Sequence, residues 1–296
     1  MKQLGRLMTA MVTPFDRGGE VDYEQAKRLA RALLSSGSDG LVVVGTTGES
    51  STLVRAEETR LFHEIKSVVG EHGSVVAGTG SNSTAEAIEA TREAEKAGVD
   101  ACLLVVPYYN KPPQEGLYQH FKTVAQSTGL PCILYNVPSR TAISLSADTV
   151  IRLSQIDNIV GVKEASGNME QVARIINGSR EGFLVWSGND NDTLPILALG
   201  GYGVISVASH LVGSQIRTMI NNVSKGKMDE AARIHRHLLP LVSALFVVSN
   251  PIPIKYALNC LGFQVGKPRL PLLEPDEKSA AFIKDILKIY HIDLSV

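Results

Sequence analysis

The chain has 296 residues, of which 44% are hydrophobic and 20% charged, so it can form one large α/β domain or two smaller ones. Its 29 basic and 30 acidic residues leave a net charge of −1 without a long basic stretch, which indicates neither nucleic acid nor a membrane surface as a partner. No apolar run reaches the roughly 18–20 residues that cross a bilayer, and the absence of a signal-peptide core, with only three cysteines, predicts a cytoplasmic protein.

Short apolar runs alternate with helix-patterned stretches from the N-terminus to about residue 222. The runs are continuous in β-branched and other apolar residues instead of alternating with polar ones, which is typical of parallel strands covered on both faces. The sequence therefore predicts strands at 7–12, 40–44, 74–77, 101–106, 132–135, 159–162, 183–186 and 203–207.

Helices are predicted between these strands, with apolar residues at helical spacing and cap residues such as Ser83 before them. Their predicted ranges are 23–34, 56–69, 84–97, 114–128, 146–153, 169–177, 192–199 and 214–223. Eight β–α units in about 220 residues predict a (β/α)8 TIM barrel as the catalytic domain over residues 1–224. An open, doubly wound sheet is the alternative.

The remaining residues, 225–296, read as a C-terminal helical extension. Helices are predicted at 228–249, 254–261 and 276–291, with Pro240 as a candidate kink in the first of them. The prolines at 251 and 253 interrupt the helical pattern between the first two.

Lys163 is the most informative residue, because it ends a strand that should be buried on both faces. Burying a lone ammonium is costly, whereas a neutral amine on a rigid strand is a nucleophile suited to Schiff-base chemistry. The alternative is a structural lysine whose side chain extends to solvent. The neighbouring Glu164 should point to the opposite face of the strand and is predicted to be structural.

Barrel enzymes carry their active sites at the carboxyl ends of the strands, and polar residues follow several of the predicted strands. Thr46 and Thr47 follow the second, Tyr109 follows the fourth, and Tyr135 ends the fifth strand, with Arg140 shortly after it. Hydroxyls, a guanidinium and the lysine would then converge on one rim. Taken one by one, these residues could instead be turn or cap residues, rim packing and a surface ion pair.

Metal and nucleotide motifs are absent from the sequence. The seven histidines are scattered, and neither a His-Glu-x-x-His nor a Cys-x-x-Cys spacing occurs. The stretch after the eighth strand is not glycine-rich, which argues against a phosphate site in a barrel. These absences argue against a metal site and a nucleotide site.

Three motifs give the chain a resemblance to a known family. They are Gly45-Thr46-Thr47-Gly48-Glu49-Ser50, Tyr135-Asn136-Val137-Pro138-Ser139-Arg140-Thr141 and Gly161-Val162-Lys163-Glu164-Ala165. Together they resemble the dihydrodipicolinate synthase branch of the pyruvate-dependent lyase (class I aldolase, N-acetylneuraminate lyase) superfamily, and the resemblance covers essentially the whole chain. It implies that Lys163 forms an imine with pyruvate and that the resulting enamine attacks L-aspartate 4-semialdehyde, in the diaminopimelate route to lysine.

The resemblance also implies roles for the other residues. Tyr135, Thr46 and Tyr109 would form a hydroxyl relay that moves protons. Thr47, Gly188 and Ile205 would line the pyruvate pocket, the last two through their backbone, and Arg140 would bind the carboxylate of the second substrate. In this family the equivalent of Tyr109 comes from a neighbouring subunit, which implies a homo-oligomer, commonly a tetramer that is a dimer of dimers.

Some relatives bind lysine as an inhibitor at a dimer cleft, and the resemblance extends to part of that cleft. Ser50, Asn82, Glu86 and Tyr108 match its pattern. Where some sensitive relatives carry histidines, this chain has Arg55 and Glu58. Arg55 should repel a lysine ammonium while Glu58 should partly compensate, so we expect weakened inhibition.

Two kinds of rival function remain at this point. Within the superfamily, N-acetylneuraminate lyases and 2-keto-3-deoxy-sugar-acid aldolases share the lysine and the tyrosine, but usually vary at the positions of Arg140 and Tyr109. Outside catalysis, the same fold could serve as a sensor that binds pyruvate or an amino acid. The complete set Lys163, Tyr135, Thr46 and Tyr109 argues against a sensor, which has no need of a proton relay.

Overall fold

The computed structural model describes residues 4–295. Within that range, eight parallel strands follow one another around a closed barrel in sequence order. The strands are β1 (Leu7–Ala10), β2 (Gly40–Val43), β3 (Ser74–Gly78), β4 (Ala101–Val105), β5 (Cys132–Asn136), β6 (Ile159–Glu164), β7 (Leu184–Ser187) and β8 (Gly203–Ser206). The predicted (β/α)8 barrel is therefore confirmed, and the open doubly wound alternative is wrong.

The helices alternate with the strands and continue beyond the last one. They are α1 (Tyr23–Ser35), α2 (Arg55–Val69), α3 (Thr84–Lys96), α4 (Gln114–Ala125), α5 (Pro138–Thr141), α6 (Ala147–Leu153), α7 (Met169–Gly178), α8 (Thr193–Ala198), α9 (Ser209–Ser224), α10 (Met228–Leu245), α11 (Ile252–Cys260) and α12 (Glu277–Leu287). Short 3₁₀ turns lie at Ser50–Thr52 and Asp190–Asp192.

Local chemistry explains where several helices begin. The side chains of Asp22, Ser83 and Ser146 accept hydrogen bonds from backbone N–H groups in the first turns of α1, α3 and α6. Such caps satisfy N–H groups that have no partner inside the helix. The predicted first residues of these helices are correct to within one position.

Other helix ends were predicted wrongly. Helix α9 begins at Ser209 instead of residue 214, and it contains Val212 in a non-helical conformation (φ −130°, ψ 39°) that separates its first turn from the rest. Helix α10 ends at Leu245 and α12 at Leu287, each four residues earlier than expected. Pro240 lies inside α10. The short helix α5 was not predicted; Pro138 occupies its first turn, where the missing N–H costs nothing.

The chain divides into two compact units, one of residues 76–205 and the other of residues 4–75 with 206–295. The first unit contains β4 to β7 with α3 to α8, and its strands are almost entirely buried. The second contains β1 and β2 with α1, α2 and α9 to α12. The boundary near residue 224 between a barrel domain and a helical extension stays a prediction.

Candidate active site

Lys163 and Tyr135 lie side by side on neighbouring strands. They are directly paired in the parallel register of β5 and β6. Each is only 6% exposed, and the Lys163 Nζ lies 4.3 Å from the centroid of the Tyr135 ring. The lysine side chain is therefore buried against a tyrosine face instead of extending to solvent.

Glu164 holds the same two strands together on their other face. Its carboxylate accepts hydrogen bonds from Asn136 Nδ2 (3.1 Å to each oxygen), the backbone N–H of Ser166 (2.7 Å) and Gln171 Nε2 (3.1 Å). Asn136 is the strand partner of Glu164, so the buried pair follows directly after Tyr135 and Lys163 along the two strands. These contacts agree with the structural role predicted for Glu164.

Gly188 lies close to the lysine within the first unit. Its N–H donates to the Glu164 carbonyl at 2.7 Å. A Cβ at this position would lie 2.7 Å from the Ala165 Cβ and 3.2 Å from the Lys163 Cγ, so the close approach requires glycine. Ile205, in β8, is 1% exposed.

Thr46 and Thr47 belong to the second unit, in the turn between β2 and α2. The Thr47 side chain is buried, and its Oγ1 accepts a hydrogen bond from Asn250 Nδ2 at 2.9 Å. The carbonyl of Thr46, which is half-buried, accepts from the N–H of Glu49 at 3.1 Å. Glu49 has a left-handed backbone (φ 58°), which makes the turn tight.

A buried ion pair that the sequence analysis missed anchors this turn. Lys255, in α11, places its Nζ 2.8 Å from Glu49 Oε1, and both side chains are 1% exposed. The ammonium also donates to the carbonyls of Thr13 (3.0 Å) and Lys267 (3.1 Å). Burial lowers the pKa of Lys255 to about 8, against the opposing charge of Glu49. The sequence feature that could have predicted this ion pair is a lysine within the largely apolar stretch Ile252–Cys260.

Arg269 completes the anchor on the far side of Glu49. Its backbone N–H donates to Glu49 Oε2 at 2.9 Å, and its guanidinium binds both carboxylate oxygens of Glu57. The guanidinium also donates to the carbonyls of Gly19 and Thr52. The bidentate contact between Arg269 and Glu57 raises the pKa of Arg269 and lowers the pKa of Glu57.

The remaining predicted site residues lie at the surface of the first unit. Tyr109 has a left-handed backbone (φ 72°) and is 89% exposed, in the loop after β4. Arg140 lies in the last turn of α5 and is exposed. Neither is buried in the way that Lys163 and Tyr135 are.

Two of the residues predicted for a lysine cleft, Asn82 and Tyr108, lie on loops that are joined by a hydrogen bond, and Glu86 lies in the first turn of α3. Asn110 Nδ2 donates to the Asn82 carbonyl at 2.8 Å, and the N–H of Asn110 donates to the Tyr108 carbonyl. Glu86 accepts from Ser81 Oγ at 2.8 Å. Ser50 lies in the second unit, where the 3₁₀ turn Ser50–Thr52 begins.

Among residues 4–295, no group of three or more histidine, cysteine, aspartate or glutamate side chains could hold a metal ion. None of the helices in that range is both long and apolar enough to cross a membrane.

The fold and the geometry define a (β/α)8-barrel protein with a buried lysine at the end of its sixth strand. The chain belongs to the dihydrodipicolinate synthetase family, whose profile matches residues 3–290. The 4-hydroxy-tetrahydrodipicolinate synthase of Dehalococcoides mccartyi is 68% identical to it over 100% of both chains. Among solved structures, DHDPS from Cyanidioschyzon merolae with lysine bound is 50% identical (TM-score 0.95; 96% of this chain, 97% of that one). Dihydrodipicolinate synthase from Bacillus anthracis is 44% identical (TM-score 0.96; 98% and 100%). The predicted family is confirmed, and with it the prediction of a lyase or synthase enzyme.

Proposed function

We infer that the chain is a 4-hydroxy-tetrahydrodipicolinate synthase, which condenses pyruvate with L-aspartate 4-semialdehyde in the diaminopimelate route to lysine. The single observation that carries this inference is the name shared by relatives that are 51–68% identical over 96–100% of the chain. The burial of Lys163 against Tyr135 supports the chemistry, because an amine held in a water-poor site is suited to imine formation.

Lys163 would act as the nucleophile. Its amine adds to the ketone carbon of pyruvate, and water leaves as the imine forms. The iminium draws electrons from the methyl group, which loses a proton to give an enamine. The enamine carbon then bonds to the aldehyde carbon of the semialdehyde, whose oxygen takes up a proton, and the product's own amine displaces Lys163 as the ring closes. The protein supplies the electron sink itself, so we propose that the reaction uses no metal or organic cofactor.

The proton steps would use Tyr135, Thr46 and Tyr109, since hydroxyls both donate and accept. Tyr135 is the best supported of the three, because it contacts the lysine directly. Thr47 would bind the pyruvate carboxylate, with the backbone at Gly188 and Ile205 lining the pocket. Arg140 would bind the carboxylate of the semialdehyde, for which a guanidinium fork is suited.

The same proposal includes the oligomeric state, the cellular location and the lysine cleft of the enzyme. The 89% exposure of Tyr109 fits a tyrosine that acts in the site of a neighbouring copy, so we propose a homo-oligomer, a dimer of dimers, in the cytoplasm. Ser50, Asn82, Glu86 and Tyr108 would form the lysine cleft. Arg55 pairs with Glu58 at 2.6 Å, which reduces the charge of each towards a bound lysine.

A coupled assay of the purified chain tests the proposed activity. Pyruvate and L-aspartate 4-semialdehyde should give turnover that depends on both substrates. N-acetylneuraminate and 2-keto-3-deoxy-sugar acids serve as controls for the other activities of the superfamily. Faster turnover of either control than of the proposed pair would assign the chain to that activity instead.

A further inference from the structure

Asn250 makes a buried hydrogen bond to a residue of the proposed pyruvate pocket. Its Nδ2 donates to Thr47 Oγ1 at 2.9 Å, across 203 positions of sequence, and both side chains are buried. Asn250 lies two residues before α11 begins. The contact lies wholly within the second compact unit.

The direction of that hydrogen bond determines what the Thr47 hydroxyl can do. A hydroxyl has one proton to donate and two lone pairs that accept, whereas a carboxylate only accepts. Because the Asn250 amide donates to the Thr47 oxygen, the hydroxyl proton is left for another acceptor. The opposite arrangement, with an acceptor at position 250, would take up that proton and leave only lone pairs facing the carboxylate of a substrate.

A second contact holds the amide in place. Five residues after Asn250, Lys255 binds Glu49, which lies two residues after Thr47. The turn and the start of α11 are thus joined at two points, and the second point is also held by the Arg269 N–H on Glu49. Since both ends are buried, the amide has little freedom to move away from the hydroxyl.

We propose that Asn250 is a positioning residue, which keeps the Thr47 hydroxyl as a hydrogen-bond donor to the carboxylate of the 2-oxo acid substrate. This inference rests on the proposed function, because it takes Thr47 as the carboxylate contact. Asn250, in the segment between α10 and α11, would thereby contribute to the preference for a ketone that carries a carboxylate. An uncharged ketone should gain nothing from the arrangement.

The test measures imine formation by borohydride trapping on Lys163, with pyruvate and with hydroxyacetone as an uncharged ketone. Asn250→Asp nearly preserves the shape of the side chain but can only accept when ionised. It should raise the pyruvate concentration for half-maximal trapping by roughly 10-fold to 100-fold, the range for a hydrogen bond to a charged group. Half-maximal trapping with hydroxyacetone should change less than about twofold. Asn221→Asp, on the exposed face of α9, is the matched control and should behave as the wild type.

A double-mutant cycle distinguishes two causes of weaker pyruvate binding. One is loss of the Thr47 hydroxyl as a donor, and the other is charge repulsion between pyruvate and the carboxylate introduced at position 250. In a Thr47→Val background the hydroxyl is gone, so Asn250→Asp should have little further effect on pyruvate. An equal effect in both backgrounds would assign the loss to repulsion and overturn the inference.

The outcomes distinguish a failure of the proposed function from a failure of the role proposed for Asn250. If the wild type forms no pyruvate adduct, the proposed function fails, whatever the variants do. If the wild type forms the adduct and Asn250→Asp matches Asn221→Asp, only the role of Asn250 is overturned. Should Asn250→Asp fail to fold by circular dichroism, Asn250→Ala decides: it removes the donor and should raise half-maximal pyruvate by about 3-fold to 10-fold, whereas an unchanged value refutes the inference.

Discussion

Replacing Lys255 with methionine tests whether the buried ion pair with Glu49 stabilises the turn that carries Thr47. The substitution keeps the length of the side chain but removes the ammonium, and with it the bonds to Glu49, Thr13 and Lys267. Glu49 would remain buried with the Arg269 N–H as a donor. Removing one partner of a buried pair costs about 3–5 kcal/mol, because the other charge is left uncompensated.

The assay is thermal and urea unfolding followed by circular dichroism. A loss of about 3–5 kcal/mol corresponds to a fall in Tm of roughly 6–20 °C, at about 2–4 °C for each kcal/mol in a large domain. Lys288→Met is the control: its ion pair with Asp285 is exposed, so it should cost less than about 1 kcal/mol. The double variant Lys255→Met/Glu49→Gln should regain most of the loss, since no buried charge is left.

The pair should also give stability a dependence on pH. The pKa of Lys255 is about 8 in the folded protein, because burial lowers it more than the negative charge of Glu49 raises it. The positive charge of Arg269 lowers it further. The unfolded value is about 10.4, so between these pH values the unfolded chain binds more protons. Stability contributed by this group therefore rises with pH across that window, by up to about 3 kcal/mol, at about 1.4 kcal/mol for each pKa unit. Lys255→Met should lose this rise.

Two results would refute this reasoning. If Lys255→Met costs no more than Lys288→Met, the ion pair does not stabilise the turn. If the stability difference between wild type and Lys255→Met is flat from about pH 8 to about pH 10.4, the lysine does not titrate in the folded protein as its burial requires.

Three further predictions concern the proposed chemistry. Arg140→Ala should raise KM for L-aspartate semialdehyde at least about tenfold, while borohydride trapping with pyruvate stays nearly unchanged; equal loss of both would remove Arg140 from its role. Tyr109→Phe should slow turnover by about tenfold or more, the lower part of the range for a proton-transfer group, without lowering Tm, because the substitution removes only the phenolic hydroxyl; unchanged turnover would remove it from the relay. Glu164→Ala should lower stability by about 3 kcal/mol or more, since it removes the buried carboxylate that accepts from Asn136, Gln171 and the Ser166 N–H, and should slow imine formation; an unaffected trapping rate would show that Glu164 does not align Tyr135 with Lys163.

The strands were predictable because their signal is local. Strands of a parallel barrel are covered on both faces, so each of the eight appears in the sequence as a mainly apolar run without regular polar alternation. The strand ends were predicted less accurately. Strand β6 extends to Glu164, two residues beyond the prediction, because the Glu164 carboxylate has a hydrogen-bond partner inside the protein. Sequence periodicity gives no sign of such buried polar partners.

The helix ends and the anchor of the Thr47 turn show where sequence reasoning stops. The apolar residues Phe246 and Val247 continue the pattern of α10 but are exposed beyond its end, so hydrophobicity alone extended the helix too far. Lys255 and Glu49 are 206 positions apart, and each looks unremarkable in its own segment. Only the three-dimensional structure shows that they neutralise one another.

The central claim is that Lys163 forms an imine with pyruvate, and borohydride reduction tests it most directly. Incubation of the purified protein with pyruvate and borohydride should add one three-carbon unit to the intact mass, and peptide mapping should place it on Lys163. Omitting either reagent should leave the mass unchanged, and Lys163→Arg should not be labelled. An unmodified protein, or an adduct on another lysine such as Lys255, would contradict the account.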